Sequence, residues 1–313
     1  MKSFIASIAG GGTAGVNANV NVNYIGGKTE ATLENSTVNS TLKVADSINV
    51  KASDYTDSAA FIGSVAIGGG GSVGISPNNN RVERDTTAKI DKLKSGSKAS
   101  DVVVMANSKQ GLSTLTAGAA GAGTGALAAN SSVALLGGNT TAEITNSNLT
   151  VKSLDVYADH YARAHVLAGS AALTGVGAGG VAISVTNDKS HVKSQIATST
   201  ISMNSNSSGE VKVRAKSDSS FESTTAAVGL GLEGFGAAGS IGVNYTENTV
   251  DANVYNSTIG SASKRARSVS VSSEDLSKVY GYGGTLGGGT YAGIGLAVNV
   301  GSINSKTHDN LYK

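Results

Sequence analysis

The sequence predicts an all-β protein that forms one long parallel β-helix (β-solenoid), and two observations carry this prediction. The first is self-similarity, because about five and a half copies of one unit return every 52–58 residues along the 313-residue chain. The second is composition, because 42 glycines, 4% aromatic residues and no tryptophan leave too few large side chains for a thick globular core. An antiparallel sandwich would also supply many strands, but it would explain neither the period nor the thin core.

The stretch from Gly10 to Val38 shows how one unit is built. Three glycines come first, and small or apolar residues then alternate with asparagine as far as Tyr24. A period of two predicts a β-strand with one buried face and one wet or hydrogen-bonded face. The apolar series is Val16, Ala18, Val20, Val22 and Tyr24, and the polar series is Asn17, Asn19, Asn21 and Asn23.

An alanine-centred motif, Ala-x-Leu-x-Asn-Ser-Thr-Val, marks the same point in each unit. It starts at Ala31 and returns without a gap around Ala142 and Ala252. In a solenoid such positions form one row along the axis if every unit contributes the same number of coils. The equivalent positions are 31, 88, 142, 194, 252 and 309, separated by 57, 54, 52, 58 and 57 residues.

Two further pieces complete each unit. A short Val-x-Val strand follows the alanine motif, as at 48–52 and 211–215, and a Gly/Ala-rich apolar run comes next, as at 61–75. Each unit is therefore predicted to hold three strand-like pieces, and the glycine density argues against helix. Length varies only in polar turns, as surface loops do, at 39–45, 94–100, 204–209 and 260–267.

The size of the unit sets the expected dimensions. About 55 residues is long for one coil, so we expect two or three coils per unit, roughly 11 to 16 coils in all and a rod on the order of 50 to 75 Å. Asn35, Asn146 and Asn256 are expected to stack their amides in a ladder along the axis.

The chain is interpreted as a single solenoid segment, 1–313. Because the sequence begins and ends within a unit and shows no polar cap, we expect it to belong to a longer protein. Its repeat units are roughly 4–60, 61–116, 117–165, 166–225, 226–280 and a partial unit at 281–313.

Charge and composition exclude several function classes. A net charge of +2 and few aromatic residues do not favour nucleic acid as a partner, and the basic cluster at 264–267 is interpreted as a solvated loop. No apolar run reaches 18 residues, so no transmembrane helix is expected. The short apolar start at 1–9 is interpreted as the interior of a repeat and not as a signal peptide.

The histidines do not suggest a metal or acid–base site. Residues 160 and 165 lie an odd number of positions apart, so on one strand they face opposite sides. Zinc needs several ligands at one point, and no such spacing occurs. We therefore expect exposed polar residues at His160, His165, His191 and His308.

No catalytic, cofactor-binding or metal-binding residues are predicted. Glu83 and Asp85 share a face and imitate a pair of catalytic carboxylates, and Glu274 with Asp275 forms a second acidic pair, but neighbouring units hold no matching acids. The glycine runs lack both a Walker lysine and the aspartate of a calcium-binding β-roll, so they are interpreted as scaffold.

The combined motifs resemble a known family. A Gly/Ala run, Val-x-Val-Asn, Thr-x-Ala-x-Ile-x-Asn-Ser-Thr-Val and Val-x-Val-x-Ala follow one another through essentially all 313 residues. This order resembles the passenger repeats of large Gram-negative surface proteins, the leukotoxin-type filamentous adhesins, which are related to filamentous haemagglutinins. The resemblance implies a right-handed β-helix, export through an outer-membrane β-barrel, and adhesion or toxicity towards host cells. It brings no catalytic residues.

We therefore expect a non-catalytic stalk and adhesion segment, secreted or exposed on the bacterial surface, without a cofactor. Its expected partners are protein or glycan receptors on host cells or neighbouring bacteria, and the export barrel. The alternative is a β-helical polysaccharide lyase or hydrolase that uses Glu83 and Asp85. A third hypothesis, ice or mineral binding, needs threonine ladders, and only scattered pairs such as 140–141 and 224–225 are present.

Overall fold

A computed structural model describes residues 1–38, 45–204 and 209–312. Its regular elements are β-strands and all paired strands are parallel, which confirms the predicted parallel β-solenoid. Within these ranges no helix has the length and hydropathy of a membrane span. The variable turns predicted at 39–45 and 204–209 fall largely on residues 39–44 and 205–208, which lie outside the described residues.

In the described ranges, eighteen strands form two facing sheets. The first sheet contains β1, β4, β6, β8, β10, β11 and β14 to β16, and the second contains β2, β3, β5, β7, β9, β12, β13, β17 and β18. The strands are β1 Lys2–Gly11, β2 Ala14–Ala18, β3 Asn21–Glu34, β4 Ala45–Gly68, β5 Gly71–Asp91, β6 Ser97–Ala122, β7 Gly125–Thr145, β8 Asn148–Thr174, β9 Gly177–Ala197, β10 Thr200–Met203, β11 Glu210–Gly231, β12 Phe235–Thr246, β13 Thr249–Tyr255, β14 Thr258–Ile259, β15 Ser268–Asp275, β16 Lys278–Gly289, β17 Ala292–Ile303 and β18 Lys306–Leu311.

One repeat forms one coil, so the expectation of two or three coils per unit is wrong. Ala31 pairs with Ala88, which pairs with Ala142, and the row continues through Ser194 to Ala252. Six coils stacked about 4.8 Å apart rise only about 24 Å. The coil is instead very wide, because single strands such as β8, with 27 residues, replace the three short pieces expected from the sequence.

Each coil turns at two different places. On one side, short glycine-rich turns such as Gly69–Gly70 join a strand of the first sheet to one of the second. On the other side, the chain passes through a left-handed residue, with φ between 48° and 52° in five successive coils. Asparagine tolerates this conformation better than most residues, which explains its place in the repeat motif. The five left-handed residues are Asn35, Lys92, Asn146, Thr198 and Asn256.

A serine ladder replaces the expected asparagine ladder at this corner. Asn35 and Asn146 lie in the same row, but Lys92 comes between them, and the Asn146 amide instead donates to Asp91 Oδ1 at 3.1 Å. The hydrogen bonds that repeat from coil to coil involve the serine after this residue. The Ser147 backbone amide donates to Ser199 Oγ at 3.1 Å. The Ser199 amide donates in turn to Ser257 Oγ at 3.1 Å. The expected stacking of asparagine amides is therefore wrong.

The interior differs between the two ends of the coil. We call the part beside the glycine-rich turns the glycine-turn half and the remainder the corner half. The corner half has an apolar core of isoleucine, valine, leucine and alanine, with Ile90, Ile144 and Ile196 in one fully buried row. By the pairing register, the glycine-turn half comprises residues 3–23, 60–80, 114–134, 166–186, 223–244 and 281–301.

The glycine-turn half is apolar outside, and its interior combines small alanines with buried serine, threonine and asparagine side chains. The asparagines of the alternating series are buried, while Val16, Val20, Val22 and Tyr24 are exposed. Asn21 Nδ2 donates to Asn78 Oδ1 at 2.9 Å, and Asn23 Nδ2 donates to Asn80 Oδ1 at 2.7 Å. These hydrogen bonds between coils offset the cost of burying the four amides.

Candidate binding surface

The charged residues of the chain project mainly from the outer faces of the corner half. Because one repeat forms one coil, each outward row contains one residue per coil, and residues about 55 positions apart become neighbours. Grooves lie between these rows, and one on each sheet is described below. Both are shallow surface features that a ligand can reach.

The groove on the first sheet is lined mainly by tyrosines and cations, together with the Asp57 carboxylate. It has a volume of about 230 Å³ and includes Tyr55, Lys109, Tyr161 and Arg163. Its floor lies at Gly111, where a Cβ would come within 2.8 Å of an Asp57 carboxylate oxygen. The Arg163 guanidinium lies 4.8 Å from the centre of the Tyr161 ring. This cation–π contact keeps the planar guanidinium beside the groove. This set offers apolar ring faces together with donors for carboxylate or sulfate groups.

The groove on the second sheet is lined by mixed charges. It has a volume of about 410 Å³ and includes Glu83, Lys189, His191 and Glu247. Gly138 forms part of its lining with φ of 130°, and a Cβ there would lie 2.1 Å from the Arg84 carbonyl oxygen, so only glycine fits. Lys189 Nζ is 3.5 Å from Glu247 Oε2, so opposite charges of adjacent coils form an ion pair within the groove lining.

The two acidic pairs considered from the sequence are engaged with other residues. Glu83 Oε2 lies 2.6 Å from Arg81 Nη2, and Asp85 Oδ1 accepts hydrogen bonds from the Asn139 backbone amide at 2.9 Å and its side-chain amide at 3.0 Å. In the second pair, too, one acid contacts a cation and the other accepts a hydrogen bond. Glu274 Oε2 is 3.5 Å from Lys216 Nζ, and Asp275 accepts a hydrogen bond from Ser277.

The prediction that all four histidines are exposed is wrong for His160. His165, His191 and His308 are exposed as expected, and 160 and 165 do face opposite sides of β8. His160 has no exposed surface because it occupies an inward position where polar side chains line the interior. His191 Nε2 and His308 Nδ1 each lie 2.9 Å from a different oxygen of Asp251.

His160 belongs to a buried polar cluster that sequence reasoning missed. Its Nε2 is 2.9 Å from Ser190 Oγ, and Ser190 Oγ donates to Asp188 Oδ1 at 2.6 Å. Asp188 also accepts from Ser219 Oγ at 2.7 Å, and Asn248 Oδ1 accepts from the Ser190 amide at 3.3 Å. Histidine, serine and aspartate meet here, but all three are buried, and the carboxylate contacts serine instead of orienting the imidazole. The cluster therefore joins coils and does not contact substrate.

We expect His160 to make the folded state less stable in acid. Burial lowers the pKa of His160, although the charges of Asp188, Asp159 and Asp275 oppose this shift. The unfolded chain, with a histidine pKa of about 6.5, then binds more protons than the folded chain below that pH. Stability is complete above about pH 6.5 and falls by up to about 1.4 kcal/mol per pH unit as the pH drops towards the folded-state pKa.

Urea unfolding of wild type and His160→Gln between pH 5 and 8 measures this effect. The difference in unfolding free energy between the two proteins should change across this range, because the exposed histidines contribute equally to both. Parallel pH profiles would contradict the assignment.

Among residues 1–38, 45–204 and 209–312, no three histidine, cysteine or acidic side chains converge as a metal site. No protein-family model, curated protein or solved structure matches this chain.

Proposed function

We propose that this chain is a structural stalk and adhesion segment of a large secreted or surface-exposed bacterial filamentous adhesin. The observation that carries the proposal is the single register of the backbone ladder. One row, from Ala31 to Asp309, passes through all six coils, although the repeats differ in length by up to six residues. A backbone that stays constant while each outward row changes its side chains suits a scaffold that presents binding groups at a distance from its anchor.

Adhesion is assigned to the tyrosine-lined groove of the first sheet. Its residues come from successive coils, with Tyr55, Lys109 and Tyr161 in one outward row. Exposed rings beside a guanidinium bind flat, partly apolar ligands that carry negative groups, such as acidic surface glycans. This groove is independent of the loop at 264–267, where Arg267 Nη2 lies 2.6 Å from Glu210 Oε1 of the preceding coil.

The double variant Tyr55→Ala/Tyr161→Ala should reduce binding to host cells or to arrays of acidic glycans by about tenfold or more, as truncation of central aromatic contacts does. Replacement of residues 264–267 by Gly/Ser is the matched comparison and should leave binding unchanged. Loss only with the loop replacement would move the binding site to that loop. Binding by none of the proteins, wild type included, would reduce the segment to a spacer.

Polysaccharide cleavage is the second candidate, and one observation favours it. Glu83 lines the same groove as Lys189 and His191, so an acid, a cation and a base share one surface. Incubation with acidic polysaccharides tests this function. Chain cleavage that disappears in Glu83→Gln would replace the adhesion proposal.

A further inference from the structure

The glycine-turn half carries almost no charge. The six segments that form it contain one ionisable acid or base among aspartate, glutamate, lysine and arginine, namely Glu233, although the chain has 46 such residues. Glu233 lies in a turn, at the outermost edge of the coil. The charged residues begin immediately beyond this half, with Lys2, Arg81 and Glu222.

Apolar side chains cover both outer faces of this half. On the first sheet, Leu167 is 47% exposed and Leu173 is 51% exposed. On the second sheet, Leu127 and Ile241 are 41% and 42% exposed. A contiguous exposed apolar surface of this kind marks a contact with an apolar partner.

Apart from Glu233, the edge between the two faces is suited to an apolar medium as well. The turn amides are satisfied by the preceding coil: the Gly123 amide donates to the Gly69 carbonyl at 3.1 Å, and the Gly175 amide donates to the Gly123 carbonyl at 3.0 Å. Val176 and Leu232 expose apolar side chains in the turns themselves. Backbone that is satisfied without water is the main requirement for entry into lipid.

The dimensions and the boundary fit a bilayer. About ten residues of each sheet lie between the turns and the first charged rows, which is about 33 Å of strand and close to the roughly 30 Å of a hydrocarbon layer. Tyrosines mark the boundary on both faces, with Tyr24 and Tyr245 on the second sheet and Tyr280 on the first. Tyrosine is the residue that membrane proteins place at the interface between lipid and water.

We propose that the glycine-turn half is a lipid-contacting wedge, which inserts its edge and both outer faces into the apolar layer of a membrane. A flat protein partner, including a second copy of this chain, would cover one face only. A fluid apolar phase covers both faces and the edge at once. The proposal is independent of the receptor groove, which lies in the corner half.

Flotation with phosphatidylcholine vesicles tests the wedge. These zwitterionic vesicles have no net charge, so binding to them cannot come from simple electrostatic attraction. Wild type should float with the vesicles. Leu167→Lys on the first sheet and Ile241→Lys on the second should each lower the partition coefficient by about tenfold or more, since a lysine within the hydrocarbon is strongly disfavoured. Thr141→Lys is the matched control in the corner half, where Lys193 already occupies the same row, and it should float like wild type.

Single tryptophans then distinguish the wedge from its alternatives, because the natural chain has none. Bromine on the lipid chains should quench tryptophan at 167 and at 241 and should leave tryptophan at 141 unquenched. Quenching on one face only would overturn the wedge in favour of flat docking. Failure of wild type to float, or lipid-independent oligomers that Leu167→Lys dissociates, would overturn lipid contact and assign the face to a second copy. Each variant is first shown by circular dichroism to keep the wild-type strand content.

Discussion

Arg84→Met should lower the free energy of unfolding by about 3 kcal/mol, because it leaves the Asp54 carboxylate buried without its partner. Arg84 Nε donates to Asp54 Oδ2 at 3.1 Å and Nη2 donates to Asp54 Oδ1 at 2.8 Å, a two-point contact between the facing sheets. The same guanidinium donates to the Gly26 carbonyl at 3.1 Å and so joins the first coil to the second.

Arg81→Met is the matched control for this prediction. Arg81 and Glu83 also form an ion pair, but their side chains are 53% and 45% exposed, against 19% and 7% for Arg84 and Asp54. An exposed pair contributes at most about 1 kcal/mol. Urea unfolding followed by circular dichroism should therefore separate the two variants clearly, and equal losses would show that the interior pair is not special.

The loss in Arg84→Met should also depend on pH. Burial by itself raises the pKa of Asp54, but the hydrogen bonds and charge of Arg84, with the hydroxyls of Thr56 and Thr29, outweigh it and lower the pKa overall. A lowered folded-state pKa contributes stability above the unfolded value of about 3.9, and this stability disappears as the pH falls through the folded-state value. The difference between wild type and variant should therefore shrink in strong acid, where Asp54 is neutral in both.

The period and the row positions could be predicted from the sequence, because pairing between coils repeats the same local chemistry. Ala31, Ala88 and Ala142 do form one row. The number of coils per repeat could not be predicted. The repeat length gives the number of residues in a unit, but it does not say whether the unit forms one wide coil or several narrow ones. Here each sheet contributes one uninterrupted strand of more than 20 residues in the central coils.

Alternation also identified two faces of the strand without identifying which one is buried. Apolar residues normally take the inward face, but Asn21 and Asn23 find amide partners in the next coil, at Asn78 and Asn80. Partners that lie 57 residues away are invisible to a local pattern. The same separation hid the grooves, because Glu83, Lys189 and Glu247 come together only when one repeat equals one coil.

Phe221→Ala should lower the free energy of unfolding by about 3–5 kcal/mol, since it empties the space of the largest fully buried side chain among the described residues. Phe221 pairs with Ala164 of the preceding coil and packs in a cluster with Leu112, Leu136 and Val82. The large ring of Phe221 fills the space left by the small alanine of the preceding coil. Backbone hydrogen bonds between coils hold the strands in place, so they cannot move in to fill the cavity that Phe221→Ala creates.

Phe61→Ala is the control for this substitution, because Phe61 points outward and is 41% exposed. It should change stability by less than about 1 kcal/mol, and similar losses for the two phenylalanines would contradict the assigned interior. Each coil contacts only its neighbours, so a gap inside one coil also weakens the coupling between the two sides of the stack. We therefore expect the urea transition of Phe221→Ala to broaden or divide into two steps.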